Sequence, residues 1–222
     1  MRNIIKANEP FKFCTRLHLS ELTGLRAFTL DQLLSLIKKV PDSCIYQHTH
    51  RFLQQFQYLA PEPPNDFAYW VNEILGEHGL GEKLLGIDTT QYSSLSELRG
   101  RIVLAIEEYL KKRPLAIFKF ARHREEFHFM KSVSFIIPTD YLAWDLSEFG
   151  EMLEKVTIDS IYFHLFEARL RLGKKANDFS NWIEFCLGEK SLADEISKLN
   201  PYMYTLEELR AKIINLTGDR IQ

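Results

Sequence analysis

The residues of this 222-residue chain whose types and spacing could do chemistry are His48, His50 and His164, with Asp66, Asp178 and Glu167. Two imidazoles with carboxylates can hold a divalent transition metal, and an imidazole beside a carboxylate can move a proton. Three features oppose a metal centre. His48 and His50 stand two residues apart, and such pairs do not share a helix face. Asp66 and Asp178 each sit where they would help to start a helix, and nothing in the chain matches a Gly-rich phosphate loop, Gly-x-Ser-x-Gly, His-Glu-x-x-His or a paired Cys-x-x-Cys. No metal or other cofactor is therefore expected, with His48, His50 and His164 the weak candidates should one be present.

The element that must carry His164 is a helix whose apolar stripe runs Ile161, His164, Leu165, Ala168, Leu172, and Ile45, His48 and Phe52 repeat the geometry. The histidine is thus predicted to face the interior. There its ring nitrogens need hydrogen-bond partners, and a backbone carbonyl is the plainest one to expect. Tyr46 and Tyr162 lie two residues before the two histidines, Arg51 and Glu167 three residues after them. The candidate ligand-binding set is His48, His164, Tyr46, Tyr162, Arg51, Glu167 and Arg171.

His48 and His164 are equivalent because the chain repeats itself. Shifted by 116 residues, Phe11, Phe13, Thr23, Ala27, Leu30, Ile45, Tyr46 and His48 fall on Phe127, Phe129, Thr139, Ala143, Leu146, Ile161, Tyr162 and His164. At a shift of 112, Asn65-Asp66-Phe67-x-x-Trp70 meets Asn177-Asp178-Phe179-x-x-Trp182, and at 111, Leu95-x-Glu97-Leu98-Arg99 meets Leu206-x-Glu208-Leu209-Arg210. The expected domains are repeat 1 over 1–112 and repeat 2 over 113–222, packed together about a pseudo-twofold axis. On such an axis Arg51 and its equivalent Glu167 would form an ion pair, with Arg171 able to join.

The expected fold is mainly α: two tandem homologous repeats, each a short strand plus about five helices, with a small β-hairpin near the junction. The strand pattern is the period-two run Phe127–Phe135, and Leu115–Ala121 reads as the partner strand. Helices are announced by Thr29 with Gln32, Asp145 with Glu148, Ser94 with Glu97 and Thr205 with Glu208, each a capping oxygen three residues before a Gln or Glu. Gly76 and Gly188 mark helix ends.

The formal charge of −2 argues against nucleic acid, no apolar run reaches membrane-spanning length, and the N-terminus carries no signal-peptide pattern, so a cytoplasmic location is expected. The partners left open are a small molecule or a protein, with the chain a monomer or homodimer. Cys14, Cys44 and Cys186 fall opposite Met130, Ser160 and Ile74 and read as packing residues.

The paired texts Ile-Tyr-x-His, Asn-Asp-Phe-x-x-Trp and Leu-x-Glu-Leu-Arg, with Phe-x-Phe and Leu22–Ala27 upstream, resemble a bacterial family catalogued as domain of unknown function 5752, over nearly the whole chain. That resemblance implies no activity, substrate or catalytic residue. The repeated residues are chiefly apolar, aromatic and capping, so the functional expectation is a binding or accessory module using the cleft between the repeats. The alternative is an enzyme, in the metal-assisted case a hydrolase, using His48 and His164.

Overall fold

The structure is a computed structural model that describes residues 5–50, 65–172, 176–200 and 203–221. Helices dominate it, and its one sheet has two antiparallel strands, β1 (Phe11–Ala27) and β2 (Phe127–Ala143). The chain divides into two compact units, Met1–Leu17 with Ser134–Gln222, and His18–Val133.

In the unit His18–Val133, α1 (Leu30–Ile37) starts where the Thr29 side chain accepts from the Gln32 amide. The Gln32 side chain reaches past the cap and accepts from Phe28 N at 2.8 Å. Then come α2 (Asp42–Thr49), α3 (Asp66–Tyr69) running into a π-helical turn Trp70–Ile74, α4 (His78–Leu85) and the long α5 (Leu95–Lys112). Their apolar faces meet the two buried phenylalanines that open β2: Phe127 packs against Phe67 and Trp70 at 5.2 and 5.8 Å, Phe129 against Phe67 at 6.2 Å, and the pair lie 4.9 Å from each other.

The other unit is built alike from different stretches of chain. α6 (Leu146–Lys155) begins at Asp145, followed by α7 (Ile158–Tyr162), a π-helical turn Phe163–Glu167, α8 (Ala168–Leu172), α9 (Asp178–Leu187), α10 (Lys190–Ser197) and α11 (Leu206–Ile221). Here the buried pair comes from β1, with Phe11 and Phe13 set among Phe149, Phe179 and Trp182. Gly188 ends α9 at φ 74°, a left-handed conformation that a side chain would strain.

The Leu-x-Glu-Leu-Arg text receives its physical explanation here. Arg99 on α5 donates to the Ile37 carbonyl at the end of α1, and Arg210 on α11 donates to the Leu153 and Glu154 carbonyls at the end of α6. A guanidinium closing a helix C-terminus satisfies carbonyls that have no partner within the helix. Replacing Arg210 by Met, which keeps the apolar stem, is expected to cost about 1–2 kcal/mol in urea unfolding.

The structure corrects the expected architecture of two tandem repeats that each open on a short strand, with a hairpin near their junction. Each strand is 17 residues long. β2 pairs with β1, and the segment expected to be its hairpin partner forms instead a 3₁₀ turn, Pro114–Phe118, with Phe120 making a single bridge to Thr29. Pro114 is the cause: it has no N–H to give a ladder and its φ suits the start of a helical turn. Leu115, Phe118 and Phe120 stay exposed at 76%, 71% and 68%, so of this apolar run only the small Ala116 and Ala121 are buried. β2 continues past its phenylalanines in β-branched and aromatic residues, Val133, Phe135, Ile136, Ile137, Thr139 and Tyr141, and β1 runs alongside it with only Thr15 and Thr23 of that kind after Phe13. One threonine of each strand adds a bond to the other strand, Thr23 Oγ1 to Phe129 O and Thr139 Oγ1 to Phe13 O, both at 2.7 Å.

Candidate functional site

The repeated histidines both lie inside, each 4% exposed, as their place in the apolar stripe predicts. In the unit containing Ser134–Gln222, His164 stands on the π-helical turn, a local widening that buries all five residues Phe163, His164, Leu165, Phe166 and Glu167. The His164 Nε2 accepts the backbone N–H of Cys14 at 2.8 Å, while Nδ1 lies 2.7 Å from Asp178 Oδ2. Since a ring nitrogen that accepts an amide hydrogen must hold its lone pair, the proton is on Nδ1 and is donated to Asp178. One turn back on α7, Ser160 Oγ donates to the Cys14 carbonyl at 2.8 Å. Both backbone groups of one strand residue are thus satisfied by side chains four residues apart on the facing helical segment, which stand in for a third strand. Glu167, 2% exposed, pairs with Arg16 two residues further along β1.

The unit His18–Val133 holds the matching bonds. His48 Nε2 accepts from Met130 N at 3.0 Å and Nδ1 reaches Asp66 Oδ2 at 2.7 Å. Cys44 occupies the place of Ser160 and is fully buried, and that burial pushes its thiol pKa up, away from the reactive thiolate. Burial likewise raises Cys186.

Each residue of Asn-Asp-Phe-x-x-Trp now has a task. Asn177 caps α9 through Ser180 N and donates to Ile196 O, and Asn65 caps α3 and donates to Leu84 O. The Asp orients the histidine and the Phe fills the core. The Trp indole N–H donates to a carbonyl just before the strand, Trp182 to Glu9 at 2.8 Å and Trp70 to Glu125 at 2.6 Å.

Of the remaining candidates, Tyr46 is stacked between His18 and His50, both at 5.4 Å, and its hydroxyl is 3.3 Å from His18 Nε2. The other nitrogen of His18 meets Ser132 Oγ at 3.0 Å. Thr49 gives its hydroxyl proton to the Ile45 carbonyl, so His50 Nδ1–H donates to Thr49 Oγ1 at 2.8 Å. Desolvation holds the His50 imidazole down at about 4, so it is neutral near pH 7. Tyr162 packs against Phe166 at 5.8 Å. Arg51 lies outside the described residues, so its expected pairing with Glu167 does too, and Arg171 stands on α8. Among the described residues, no three His, Cys, Asp or Glu side chains cluster as a metal would need.

The structure thus joins His164 to Asp178 and His48 to Asp66, residues paired in sequence reading only as members of one set. Arg16, Ser160, His18 and Ser132 escaped that reading. Arg16 and Glu167 are 151 residues apart, beyond any helical spacing rule, and the one available signal was that Cys44 falls opposite a hydroxyl, Ser160. The aspartate–histidine pair is the orienting half of a nucleophilic site, but the nitrogen that would face a nucleophile or metal is occupied by a main-chain amide.

Residues 8–218 match a family described as "Family of unknown function (DUF5752)". The fold is similar to a solved structure described as the structure of OrfY from Thermoproteus tenax, with a TM-score of 0.81 and 28% identity over 96% of each chain. No curated protein matches. Among the described residues no helix is long and apolar enough to cross a membrane.

Proposed function

We infer, for a chain that belongs to the DUF5752 family, a role as a binding or accessory module, with its repeated histidines employed in holding strands rather than in catalysis. The observation that carries this reading is the occupation of both ring nitrogens of His164, Nε2 by the Cys14 amide and Nδ1 by Asp178, in a ring 4% exposed. A general base needs a nitrogen within reach of a substrate proton, and a metal ligand needs a lone pair directed at an open position. His48 meets the same two kinds of partner. The matched bonds also support the duplication read from the sequence, since residues 116 apart perform the same task.

Elemental analysis of purified, untagged protein tests this reading against the metal-assisted alternative. The expected result is no stoichiometric Mn, Fe, Co, Ni, Cu or Zn. About one metal per chain, lost in His164→Ala or His48→Ala, would reinstate the histidines as ligands.

A further inference from the structure

We propose that the exposed segment joining α5 to β2 docks on an anionic phospholipid surface, a property that does not depend on the role of the histidines. The whole segment belongs to the unit His18–Val133. From Lys111 to Arg124 the chain carries Lys111, Lys112, Arg113, Lys119, Arg122 and Arg124 and no Asp or Glu, so the formal charge of −2 for the whole chain conceals a concentrated basic run. All of these cations are exposed. Interleaved with them are Leu115, Ile117, Phe118 and Phe120, also exposed, three of them by more than two-thirds.

These apolar residues stand on the solvent side of one short turn. In a 3₁₀ helix, residues three apart lie on the same edge. Ala116 marks the inner edge of Pro114–Phe118, buried at 4% where the turn packs on α5 and α1. Leu115 and Phe118 share a second edge and Ile117 occupies the third, so both edges that carry large side chains face water. The backbone is extended from Lys119 to the bridge at Phe120, and in extended chain successive side chains point to opposite sides. Ala121 is buried, with its N–H on the Phe28 carbonyl at 2.8 Å, which turns Phe120 outward.

The fold does not need this composition. Lys111 and Lys112 suit the negative end of α5, and Arg113 and Lys119 lie 3.8 and 3.7 Å from the buried Glu77 carboxylate, which offsets one of the positive charges. The remaining arginines are not required by the repeat. At the shift of 116, Arg122-His123-Arg124-Glu125 corresponds to Lys6-Ala7-Asn8-Glu9, and Glu9 gives its carbonyl to Trp182 just as Glu125 does to Trp70. The same structural task is thus done with a single cation in place of two arginines.

Charge and side-chain type select the occupant. A cluster of roughly four to eight Lys or Arg is drawn to anionic headgroups, and large apolar side chains on an outward-facing turn enter the headgroup layer. Stable anchoring takes two such signals, and both occur on this one segment. Nucleic acid would match the charge but not Leu115 and Ile117, which have no π-face on which a base could stack.

Co-sedimentation of the untagged full chain with vesicles tests the proposal. The expected result is binding to phosphatidylcholine vesicles containing about 30% phosphatidylglycerol at about 100 mM salt, little binding to phosphatidylcholine alone, and affinity at least about tenfold weaker at about 500 mM salt. Lys111→Gln with Lys112→Gln should weaken binding about twentyfold and Phe118→Ser about tenfold, with far-UV circular dichroism unchanged because all three side chains are exposed. Should Phe118→Ser lose its helical signal, Leu115→Ser, on the same edge, takes its place. No binding to the anionic vesicles, equal binding to both kinds of vesicle, or binding that neither variant weakens overturns the proposal. A chain that ignores the vesicles but binds a single-stranded oligonucleotide or polyglutamate through the same residues overturns it in favour of nucleic acid or an acidic protein.

Discussion

His164→Ala is expected to destabilise the protein by about 3–4 kcal/mol, the largest effect of any single substitution among the hydrogen-bonded side chains described above. Three losses combine. The Cys14 amide and the Asp178 carboxylate lose their partner, and a space opens among Phe11, Phe13, Phe163 and Phe179, whose rings lie 4.8–6.1 Å from the imidazole. The urea midpoint of the circular dichroism transition measures this. His48→Ala should cost less, because Asp66 is 39% exposed where Asp178 is 18% exposed, and so returns to water more readily. A protein in which His164→Ala is neutral would show that the strand is held without the histidine.

Acidification should weaken the fold through His50, by about 2–3 kcal/mol between pH 7 and pH 4.5. Its folded-state pKa of about 4 lies below the ordinary 6.5 because a buried imidazolium loses its hydration. Below pH 6.5 the unfolded chain therefore binds a proton that the folded one refuses, and stability falls as the pH drops toward 4, then levels. Above 6.5 the residue is neutral in both states and has no effect. His50→Phe, which copies the Phe166 found at the equivalent position, should remove this component and leave the acid sensitivity of the other groups. Unfolding of both proteins at pH 7, 5.5 and 4.5 isolates it, and parallel curves would refute the assignment.

What could be read from the sequence was local. The caps at Thr29, Asp145, Ser94 and Thr205 were legible because a capping oxygen and the residue three positions on are neighbours in the chain. One detail was not: Gln32 and Glu148 bond the amide before the cap, Phe28 and Trp144, because each side chain reaches one residue beyond the cap's own amide. Burial of His48 and His164 followed from helical period alone.

The failures were long-range. A backbone carbonyl was expected opposite the histidine, whereas the partner is a backbone amide 150 residues away in the chain, so the tautomer could not be foreseen. The strands were expected to be short because the period-two alternation of the second runs only from Phe127 to Phe135, and that of the first is plain only over Phe11–Cys14. In fact only their first three positions follow the buried–exposed–buried pattern, and the ladder continues through mostly half-buried and exposed positions, with Ser132 and the closing Ala27 and Ala143 the buried exceptions. Backbone pairing needs no burial, so hydropathy did not report it. The run Leu115–Ala121 failed for the opposite reason: its large side chains Leu115, Phe118 and Phe120 are exposed, only Ala116 and Ala121 are buried, and its pairing is confined to the bridge at Phe120.

The central claim is that each repeated histidine is a neutral strand clamp with its proton on Nδ1. Nitrogen-15 NMR of histidine-labelled protein at pH 7 tests it most directly, with His48→Gln and His164→Gln used to assign the two rings. The account predicts protonated, pyrrole-type Nδ1 and bare, pyridine-type Nε2 signals for both rings, unmoved by added Zn²⁺. A proton on Nε2, or signals that shift on adding the metal, would contradict it and return His48 and His164 to the list of catalytic or ligating residues.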